Sequence, residues 1–216
     1  MLSIKCLTIK HQQIPLFKAD FQLSPSSIVA LSGPNGSGKS TLLRTMVGLR
    51  DLSHARKSLD LDGHSVETKT YKQKVFYFES VNWFDQPLTG RDYLKLYNRL
   101  WQADTSLIEE LINFWQMVPY IDQPIRKYSL GMKQKLLISL YGVTDTAYWL
   151  MDEPTNGLDQ ESLARLKDYF RAQKQAGRAI LMATHEQEAF VSLCDSIYTI
   201  EGQRLVEKGG HHHETH

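Results

Sequence analysis

Short apolar runs of strand length alternate with segments of helical spacing along much of the chain. Residues 27–31 form a partly β-branched apolar run, and residues 39–48 follow with a helical pattern that ends at a glycine. Further strands are predicted at residues 74–79, 148–151, 179–183 and 196–200, and a further helix at residues 160–176. Strands that alternate with helices predict an α/β fold with a mainly parallel sheet flanked by helices.

Residues 87–142 interrupt this alternation, because they contain no clear strand. Helical spacing predicts helices at residues 92–101, 106–116 and 131–141. We therefore expect one domain over residues 1–208, with an α/β core of residues 1–84 and 143–208 and an inserted helical subdomain of about residues 85–142. The polar, histidine-rich residues 209–216 are expected to form a solvated tail.

Composition narrows the possible function classes. The chain has 216 residues, and 25 Lys and Arg against 24 Asp and Glu leave a net charge of +1. This balance argues against a nucleic-acid partner held by bulk positive charge. The longest apolar runs, such as residues 179–183, are far shorter than the roughly 20 residues of a membrane helix, and the start of the chain lacks a signal-peptide pattern. The sequence therefore favours a cytoplasmic location.

A glycine-rich segment between the first predicted strand and helix fits the pattern G-x-x-x-x-G-K-[ST]. It consists of Gly33, Pro34, Asn35, Gly36, Ser37, Gly38, Lys39, Ser40 and Thr41. Such a loop turns backbone N–H groups inward, and the helix that follows adds the positive end of its dipole. We expect Lys39 to neutralise β- and γ-phosphate oxygens, Ser40 to bind Mg²⁺ and Thr41 to donate to a phosphate. The segment predicts binding of a nucleotide.

Two carboxylates follow the apolar strand at residues 148–151. Asp152 and Glu153 would lie at the carboxyl end of this strand, which is where open parallel sheets bind their ligands. Asp152 is expected to hold Mg²⁺, either directly or through a water molecule. Glu153 is the candidate general base that activates the water attacking the γ-phosphate. Together with the glycine-rich loop, the pair predicts nucleotide hydrolysis.

Three further segments indicate the kind of phosphate-loop protein. Residues 128–134 read Tyr-Ser-Leu-Gly-Met-Lys-Gln, residues 156–159 read Asn-Gly-Leu-Asp, and residues 182–186 read Met-Ala-Thr-His-Glu. In this order, and together with the loop and the carboxylates, they resemble the ATP-binding-cassette (ABC) ATPases over nearly the whole chain. The resemblance implies a phosphate-loop NTPase fold that begins with antiparallel β-strands. It also implies ATP and Mg²⁺ as cofactors and ATP hydrolysis coupled to transport.

The resemblance also implies partners. In this family two ATPase copies pair head to tail around two ATP molecules, so we expect a homodimer or a heterodimer with another ABC ATPase. A separate transmembrane permease subunit would hold the pair at the inner face of the cell membrane. No nucleic-acid partner is expected.

Several site residues are assigned only by this resemblance. A signature segment, which acts on the ATP held by the other copy, would comprise Ser129, Leu130, Gly131 and Met132. His185 fits the switch histidine that contacts the γ-phosphate and helps to place Glu153 and the attacking water. Asp159 fits the loop that crosses to the other copy. His11 aligns with the aromatic residue that stacks on adenine, with Lys10 as the neighbouring alternative.

The chain departs from the family pattern at two places. The family has glutamine where the strand after the phosphate loop meets the helical insertion, and that glutamine contacts Mg²⁺ and the attacking water. Counting back from Leu88 places Ser80 at this position, with Glu79 beside it, so normal coupling to the permease is in doubt. The signature reads Ser-Leu-Gly-Met where Ser-Gly-Gly-Gln is commoner, which resembles bacterial exporters and favours export.

An aromatic cluster follows the position at which the family has glutamine. In relatives this region receives a short helix of the membrane subunit, and apolar anchors suit such docking. Trp83 and Phe84 lie on a predicted loop, which favours docking. The alternative to docking is that aromatic residues at helical spacing form the core face of one helix. The residues with this spacing are Tyr93, Tyr97 and Trp101.

Three functions compete at this point. The first is the ATP-hydrolysing subunit of an ABC transporter. The second is a soluble ABC-type ATPase in DNA repair or translation, although such relatives usually carry a coiled-coil insertion or a second cassette. Only 87 residues separate Thr41 from Ser129, which leaves room for the helical subdomain and little else. The third is a small-molecule or nucleotide kinase that shares only the phosphate loop, in which the signature segment and His185 would have no purpose.

Overall fold

The computed structural model describes residues 1–11, 14–50, 59–185 and 190–208, and only the backbone of residues 6, 10, 11, 14 and 15. The proposed adenine contact of His11 therefore concerns a side chain outside the described part of the chain. The histidine-rich residues 209–216 also lie outside it. Within the described residues, no helix combines the length and the apolar character that crossing a membrane requires.

One mixed sheet organises the described strands. Its strands are β1 (Leu2–His11), β2 (Ile14–Leu23), β3 (Ile28–Ser32), β4 (Leu59–Leu61), β5 (His64–Ser65), β6 (Val75–Tyr77), β7 (Tyr148–Asp152), β8 (Ala179–Thr184), β9 (Ser196–Glu201) and β10 (Arg204–Glu207). They lie in the order β5-β4-β1-β2-β10-β9-β3-β8-β7-β6. The pairs β1–β2 and β1–β4 are antiparallel, which confirms the expected antiparallel N-terminal strands.

The parallel part of the sheet consists of β9, β3, β8, β7 and β6, and each of these strands is parallel to the next in this order. Every residue of β3 and β8 is buried, and both strands are continuous apolar runs up to their last, polar residue. Such runs form because a parallel sheet is covered on both faces. The carboxyl ends of β3, β7 and β8 therefore meet along one edge, where the chain carries its polar site residues.

Six helices are described. They are α1 (Lys39–Met46), α2 (Lys69–Lys74), α3 (Gly90–Trp101), α4 (Ser106–Phe114), α5 (Leu130–Val143) and α6 (Gln160–Gln175). The predicted helices are confirmed, with ends shifted by up to two residues. The capping box of Thr89 and Asp92 begins α3 two residues earlier than apolar spacing indicated. The short elements α2, β4, β5 and β10 were not predicted, because each contains too few residues to set a period.

The chain divides into two compact units. The first contains the ten described strands, and the second consists of Phe78–Thr146 with Pro154–Leu166. Helices α3, α4 and α5 lie in the second unit, and all ten strands lie in the first. The finer division into a core of residues 1–84 and 143–208 and a subdomain of about residues 85–142 stays a prediction.

The aromatic residues expected on a docking loop differ in exposure. Trp83 is 50% exposed, as predicted for such a surface. The prediction for Phe84 is wrong, because this side chain is only 3% exposed. Its ring stacks on Phe78 with centroids 5.0 Å apart and meets the Tyr93 ring edge-on at 4.9 Å. Phe84 is therefore a core residue of the second unit.

The three aromatics on α3 form a continuous stack. Tyr93 is buried, which confirms the core interpretation for this residue. The Tyr97 ring lies between its two neighbours, with centroid distances of 6.2 Å to Tyr93 and 5.8 Å to Trp101. Tyr97 and Trp101 are only partly buried. One edge of the stack thus faces solvent.

Candidate functional site

The glycine-rich loop joins the end of β3 to the start of α1. Gly38 is the N-cap of α1, with a φ of 104° that L side chains rarely adopt. A Cβ on Gly38 would lie 2.8 Å from Phe17 Cε1 and 3.0 Å from Leu16 Cδ1, so a side chain has no space there. Because glycine provides no capping oxygen, the first N–H groups of α1 remain available to donate to a bound anion.

Lys39 and Ser37 place a buried cation and a buried hydroxyl in the loop. The Lys39 side chain is 6% exposed, and its ammonium donates to the carbonyl oxygens of Gly33 at 2.7 Å and Pro34 at 3.2 Å. The Ser37 hydroxyl is buried and has no hydrogen-bond partner among the described residues. Buried hydroxyls are normally paired. A phosphate bound in the loop would provide the partner that Ser37 lacks.

A cavity of about 380 Å³ opens above this loop. Its volume lies within the range of roughly 300–1,000 Å³ that is usual for small-molecule sites. The cavity is lined by Leu16, Asn35, Gly36, Ser37, Gly38, Lys39, Ser40, Thr41, Arg44, Asp152 and Glu153. The structure thus places most of the predicted loop residues beside both predicted carboxylates.

Asp152 lies at the end of β7 and contacts the phosphate loop through Ser40. Burial raises the pKa of Asp152, and the hydrogen bond with the Ser40 hydroxyl opposes this rise. The nearby carboxylate of Glu153 raises the same pKa, and the charges of Lys39 and Arg44 lower it. The site therefore presents one hydroxyl and one carboxylate oxygen together, and such hard oxygen ligands suit Mg²⁺.

Glu153 and His185 form a hydrogen-bonded pair. The distance from His185 Nδ1 to Glu153 Oε2 is 2.8 Å. The pair exists because β7 and β8 are parallel neighbours, with Asp152 opposite Ala183, so that both strands end at the same level. The Glu153 amide also donates to the Ala183 carbonyl at 2.9 Å. The Glu153 side chain is 19% exposed and that of His185 is 50% exposed, so the carboxylate is the more buried member of the pair.

Glu153 has a backbone conformation that is unusual for its residue type. Its φ is 48°, in the left-handed region. For an L residue other than glycine this conformation costs roughly 1–2 kcal/mol. Backbone strain of this kind concentrates at functional sites, where the surrounding structure maintains it. Here it turns the carboxylate out of the strand direction and into the cavity.

The predicted signature segment begins α5 in the second unit. The Ser129 hydroxyl accepts from the Met132 amide at 3.2 Å, and Met132 Sδ accepts from the Ser129 amide at 3.4 Å. This is a capping box in which a thioether replaces the usual carboxylate or amide. Leu130 is 52% exposed, and Gly131 follows it in the first turn. The segment is therefore a capped helix start whose first residue lies at the surface.

Two further predicted residues of the second unit, Asp159 and Ser80, accept hydrogen bonds from nearby backbone amides. Asp159 accepts from the Ser162 amide at 2.8 Å. A hydrogen bond with the Ser162 side chain, and after it this amide contact, lower the pKa of Asp159. Ser80 accepts from the Asn82 amide at 3.2 Å and caps a 3₁₀ turn over Val81–Trp83. The functional roles assigned to Asp159, Ser80 and Glu79 stay predictions.

Two cavity residues, Leu16 and Arg44, were not predicted. Leu16 belongs to β2, and only the approach of β2 to the loop brings it to the cavity. Arg44 gave a signal that could have been used, because it follows Ser40 by four residues on the same face of α1. Its cation contributes positive charge beside Asp152.

A phosphate loop on a parallel sheet, with an aspartate and a glutamate at the end of another parallel strand of that sheet, defines a phosphate-loop nucleotide-binding domain. The sequence model of one family, described as ABC transporter, matches residues 16–156. The chain therefore belongs to the ABC transporter family, and within it to the ATP-binding subunits, which are ATPases.

The similar proteins carry related names. The chain is 29% identical over 216 residues to the ABC-type transporter ATP-binding protein EcsA of Bacillus subtilis, covering 97% of this chain and 87% of that protein. It is 30% identical over 196 residues to the Nod factor export ATP-binding protein I of Neorhizobium galegae, covering 88% of this chain and 56% of that protein. It is 29% identical over 219 residues to the manganese transport system ATP-binding protein MntA of Synechocystis, with coverages of 97% and 83%.

Solved structures share the fold. The structure of an ATP-binding subunit of an ABC transporter superposes with a TM-score of 0.87 at 24% identity, covering 97% of this chain and 90% of that one. A nucleotide-free ATP-binding cassette from an ABC transporter gives a TM-score of 0.78 at 16% identity. The expected α/β fold of this class is thereby confirmed.

Proposed function

We propose that the chain binds and hydrolyses Mg-ATP at the cavity of the first unit and thereby powers a separate membrane permease. The observation that carries this proposal is the hydrogen-bonded pair of Glu153 and His185 beside the phosphate loop. A nucleotide-binding protein that only senses ATP has no need of a strained, oriented carboxylate at this place.

Each of the principal cavity residues has a separate role in the proposed hydrolysis. Lys39 leaves its two loop carbonyls and neutralises phosphate oxygens, while the loop amides hold the triphosphate. Ser40 and Asp152 would hold Mg²⁺, which would neutralise negative charge at the phosphates. Glu153 accepts a proton from the attacking water as general base. His185 orients the Glu153 carboxylate through its ring nitrogen and presents the rest of the ring towards the γ-phosphate.

A second copy completes the site. The start of α5 offers the Ser129 hydroxyl and the helix N-terminus to an anion, and Ser129 is exposed. We assign this segment to the ATP bound by the other copy of a homodimer or heterodimer. Asp159 lies in the loop that would cross between the copies. ATP binding closes the pair, and hydrolysis reopens it.

The membrane permease converts closing and reopening into transport. It would dock on the second unit at exposed Trp83 and place the complex at the inner face of the membrane. We favour export, because the signature variant with Leu130 and Met132 resembles exporters. One relative is named as a Nod factor export protein and another as part of a manganese transport system. The names of the relatives therefore do not decide between export and import.

The proposal is tested by isolating the chain together with its membrane partner. The neighbouring reading frames are searched for a multi-span membrane protein, a tagged chain is expressed together with it, and the complex is purified in detergent and reconstituted in vesicles. We expect ATP hydrolysis by the purified chain, co-purification with the membrane protein, and faster hydrolysis in the complex. Absence of ATP hydrolysis, or co-purification with ribosomes or DNA in place of a membrane protein, would contradict the proposal.

A further inference from the structure

Backbone hydrogen bonds join two segments of the second unit, and one of these segments immediately precedes the signature. We call them the clasp, which consists of residues 85–91 and residues 120–128. The Ile125 amide donates to the Leu88 carbonyl at 2.8 Å, and the Arg126 amide donates to the Gln86 carbonyl at 3.1 Å. At the other end, the Arg91 amide donates to the Ile121 carbonyl at 3.1 Å. The clasp connects the segment that follows Trp83 with the segment that leads into Ser129.

The hydroxyl of Tyr128 lies at the centre of the clasp. It accepts from the Gly90 amide at 3.2 Å, and it lies 2.9 Å from the Tyr120 carbonyl and 3.1 Å from the Ile121 carbonyl, to which its proton is donated. Tyr128 is 6% exposed. Burial raises the pKa of Tyr128 to about 12, so the hydroxyl keeps its proton at neutral pH. One buried hydroxyl thus joins three backbone groups of the clasp.

Gly90 and Tyr128 fit each other closely. A Cβ on Gly90 would lie 2.7 Å from the Tyr128 oxygen and 2.8 Å from Ile121 Cδ1. Gly90 is also the first residue of α3, where its amide has no partner within the helix. The Tyr128 hydroxyl therefore satisfies an amide that would otherwise be buried without a partner. The position of the phenol ring is fixed by hydrogen bonds as well as by packing.

We propose that Tyr128 is a positioning residue for the signature, because its hydroxyl fixes the backbone immediately before Ser129 to the start of α3. The proposal rests on the proposed function, in which Ser129 acts on the ATP of a second copy. Without the hydroxyl, the ring still fills its place, but the backbone before Ser129 loses its link to Gly90. Ser129 then explores more orientations, and closure around ATP becomes less favourable.

The chain provides a matched control in Tyr120. Its ring meets the Tyr128 ring edge-on with centroids 5.0 Å apart, so both rings belong to the same cluster. The Tyr120 hydroxyl is buried and has no hydrogen-bond partner among the described residues. Tyr120→Phe and Tyr128→Phe thus remove the same atom from neighbouring rings, and only Tyr128→Phe breaks hydrogen bonds of the clasp.

The test measures ATP-driven dimerisation in a chain that carries Glu153→Gln, so that hydrolysis does not reopen the dimer. ATP is titrated, and the dimer fraction is followed by sedimentation or light scattering well below the melting temperature. We expect Tyr128→Phe to raise the ATP concentration at half-dimerisation about tenfold, as the loss of roughly one net hydrogen bond predicts. Tyr120→Phe is expected to leave it within about twofold, since its hydroxyl makes no hydrogen bond.

A second readout separates positioning from general stability. Binding of a fluorescent ATP analogue to the dilute monomer reports the cavity of the first unit, and we expect the dissociation constant to stay unchanged in both variants. Gly90→Ala is the second variant, because its methyl group pushes the same hydroxyl away from the opposite side of the clasp. It should raise the ATP requirement for dimerisation in the same direction as Tyr128→Phe.

The outcomes separate the two proposals. If the chain with Glu153→Gln alone does not dimerise with ATP, the proposed function fails and this inference fails with it. If that chain dimerises but Tyr128→Phe leaves the half-point unchanged, or only lowers the melting temperature, the positioning role is wrong while the proposed function stands. An equal shift in Tyr120→Phe would likewise overturn the role of the Tyr128 hydroxyl.

Discussion

His185 Nδ1 lies 2.8 Å from Glu153 Oε2, and the two residues come from the ends of neighbouring parallel strands. The contact fixes the direction of a carboxylate that also lines the phosphate cavity. A general base must lie within hydrogen-bond reach of the proton it removes, so its orientation matters as much as its acidity. The pair thus links the order of the strands to the proposed chemistry.

We expect Glu153→Gln to abolish most hydrolysis while ATP binding is retained. Loss of a general base typically lowers the rate by about 10²–10⁴-fold, and glutamine preserves the size of the side chain. The ATP-bound dimer should therefore accumulate. Single-turnover hydrolysis and sedimentation in the presence of Mg-ATP measure the two effects. A variant that hydrolyses ATP at the parent rate would show that Glu153 is not the base.

The left-handed backbone of Glu153 predicts an effect on stability that is separate from catalysis. Both Glu153→Gly and Glu153→Ala remove the carboxylate, but only glycine adopts a φ of 48° without strain. We expect the glycine variant to be more stable than the alanine variant by about 1 kcal/mol, with both inactive. Urea unfolding of the two variants gives the difference. Equal stabilities would mean that this backbone position is not strained.

Lys39→Ala should greatly weaken nucleotide binding. The Lys39 ammonium is buried beside the loop, and its hydrogen bonds to phosphate are charge-assisted, so their loss is worth about 1.5–3 kcal/mol, or roughly 10–100-fold in affinity. Isothermal titration with ATP measures the change. The control is Lys208→Ala, which removes an exposed lysine that pairs with Glu201 in the C-terminal hairpin. Retention of parent affinity by Lys39→Ala would contradict the phosphate-binding role of the loop.

The sequence indicated the residues that line the cavity better than it indicated the packing around them. The loop of residues 33–38 and the Asp152–Glu153 pair were found because each needs only local order along the chain. Phe84 was wrongly expected at the surface, because its burial depends on where Phe78 and Tyr93 place their rings. Leu16 was missed for a related reason, since β2 reaches the loop only through sheet pairing. Contacts between segments that are far apart in the sequence produce no periodic pattern of hydrophobic residues, so the sequence alone does not reveal them.

The prediction that Ser80 stands at the family's glutamine position leads to a last test. The Ser80 hydroxyl is engaged as a cap for the turn over Val81–Trp83, and its short side chain does not extend as glutamine does. Ser80→Gln should therefore lose about 1 kcal/mol of stability through the missing cap, yet raise or retune ATP turnover and its dependence on Mg²⁺.

The matched control for this prediction is Ser80→Ala, which removes the same cap without adding an amide. Steady-state hydrolysis across a series of Mg²⁺ concentrations distinguishes the variants, because a loss of capping alone affects both equally. If Ser80→Gln and Ser80→Ala show the same turnover and the same Mg²⁺ dependence, position 80 has no part in the site. In that case Glu79 becomes the next residue to substitute.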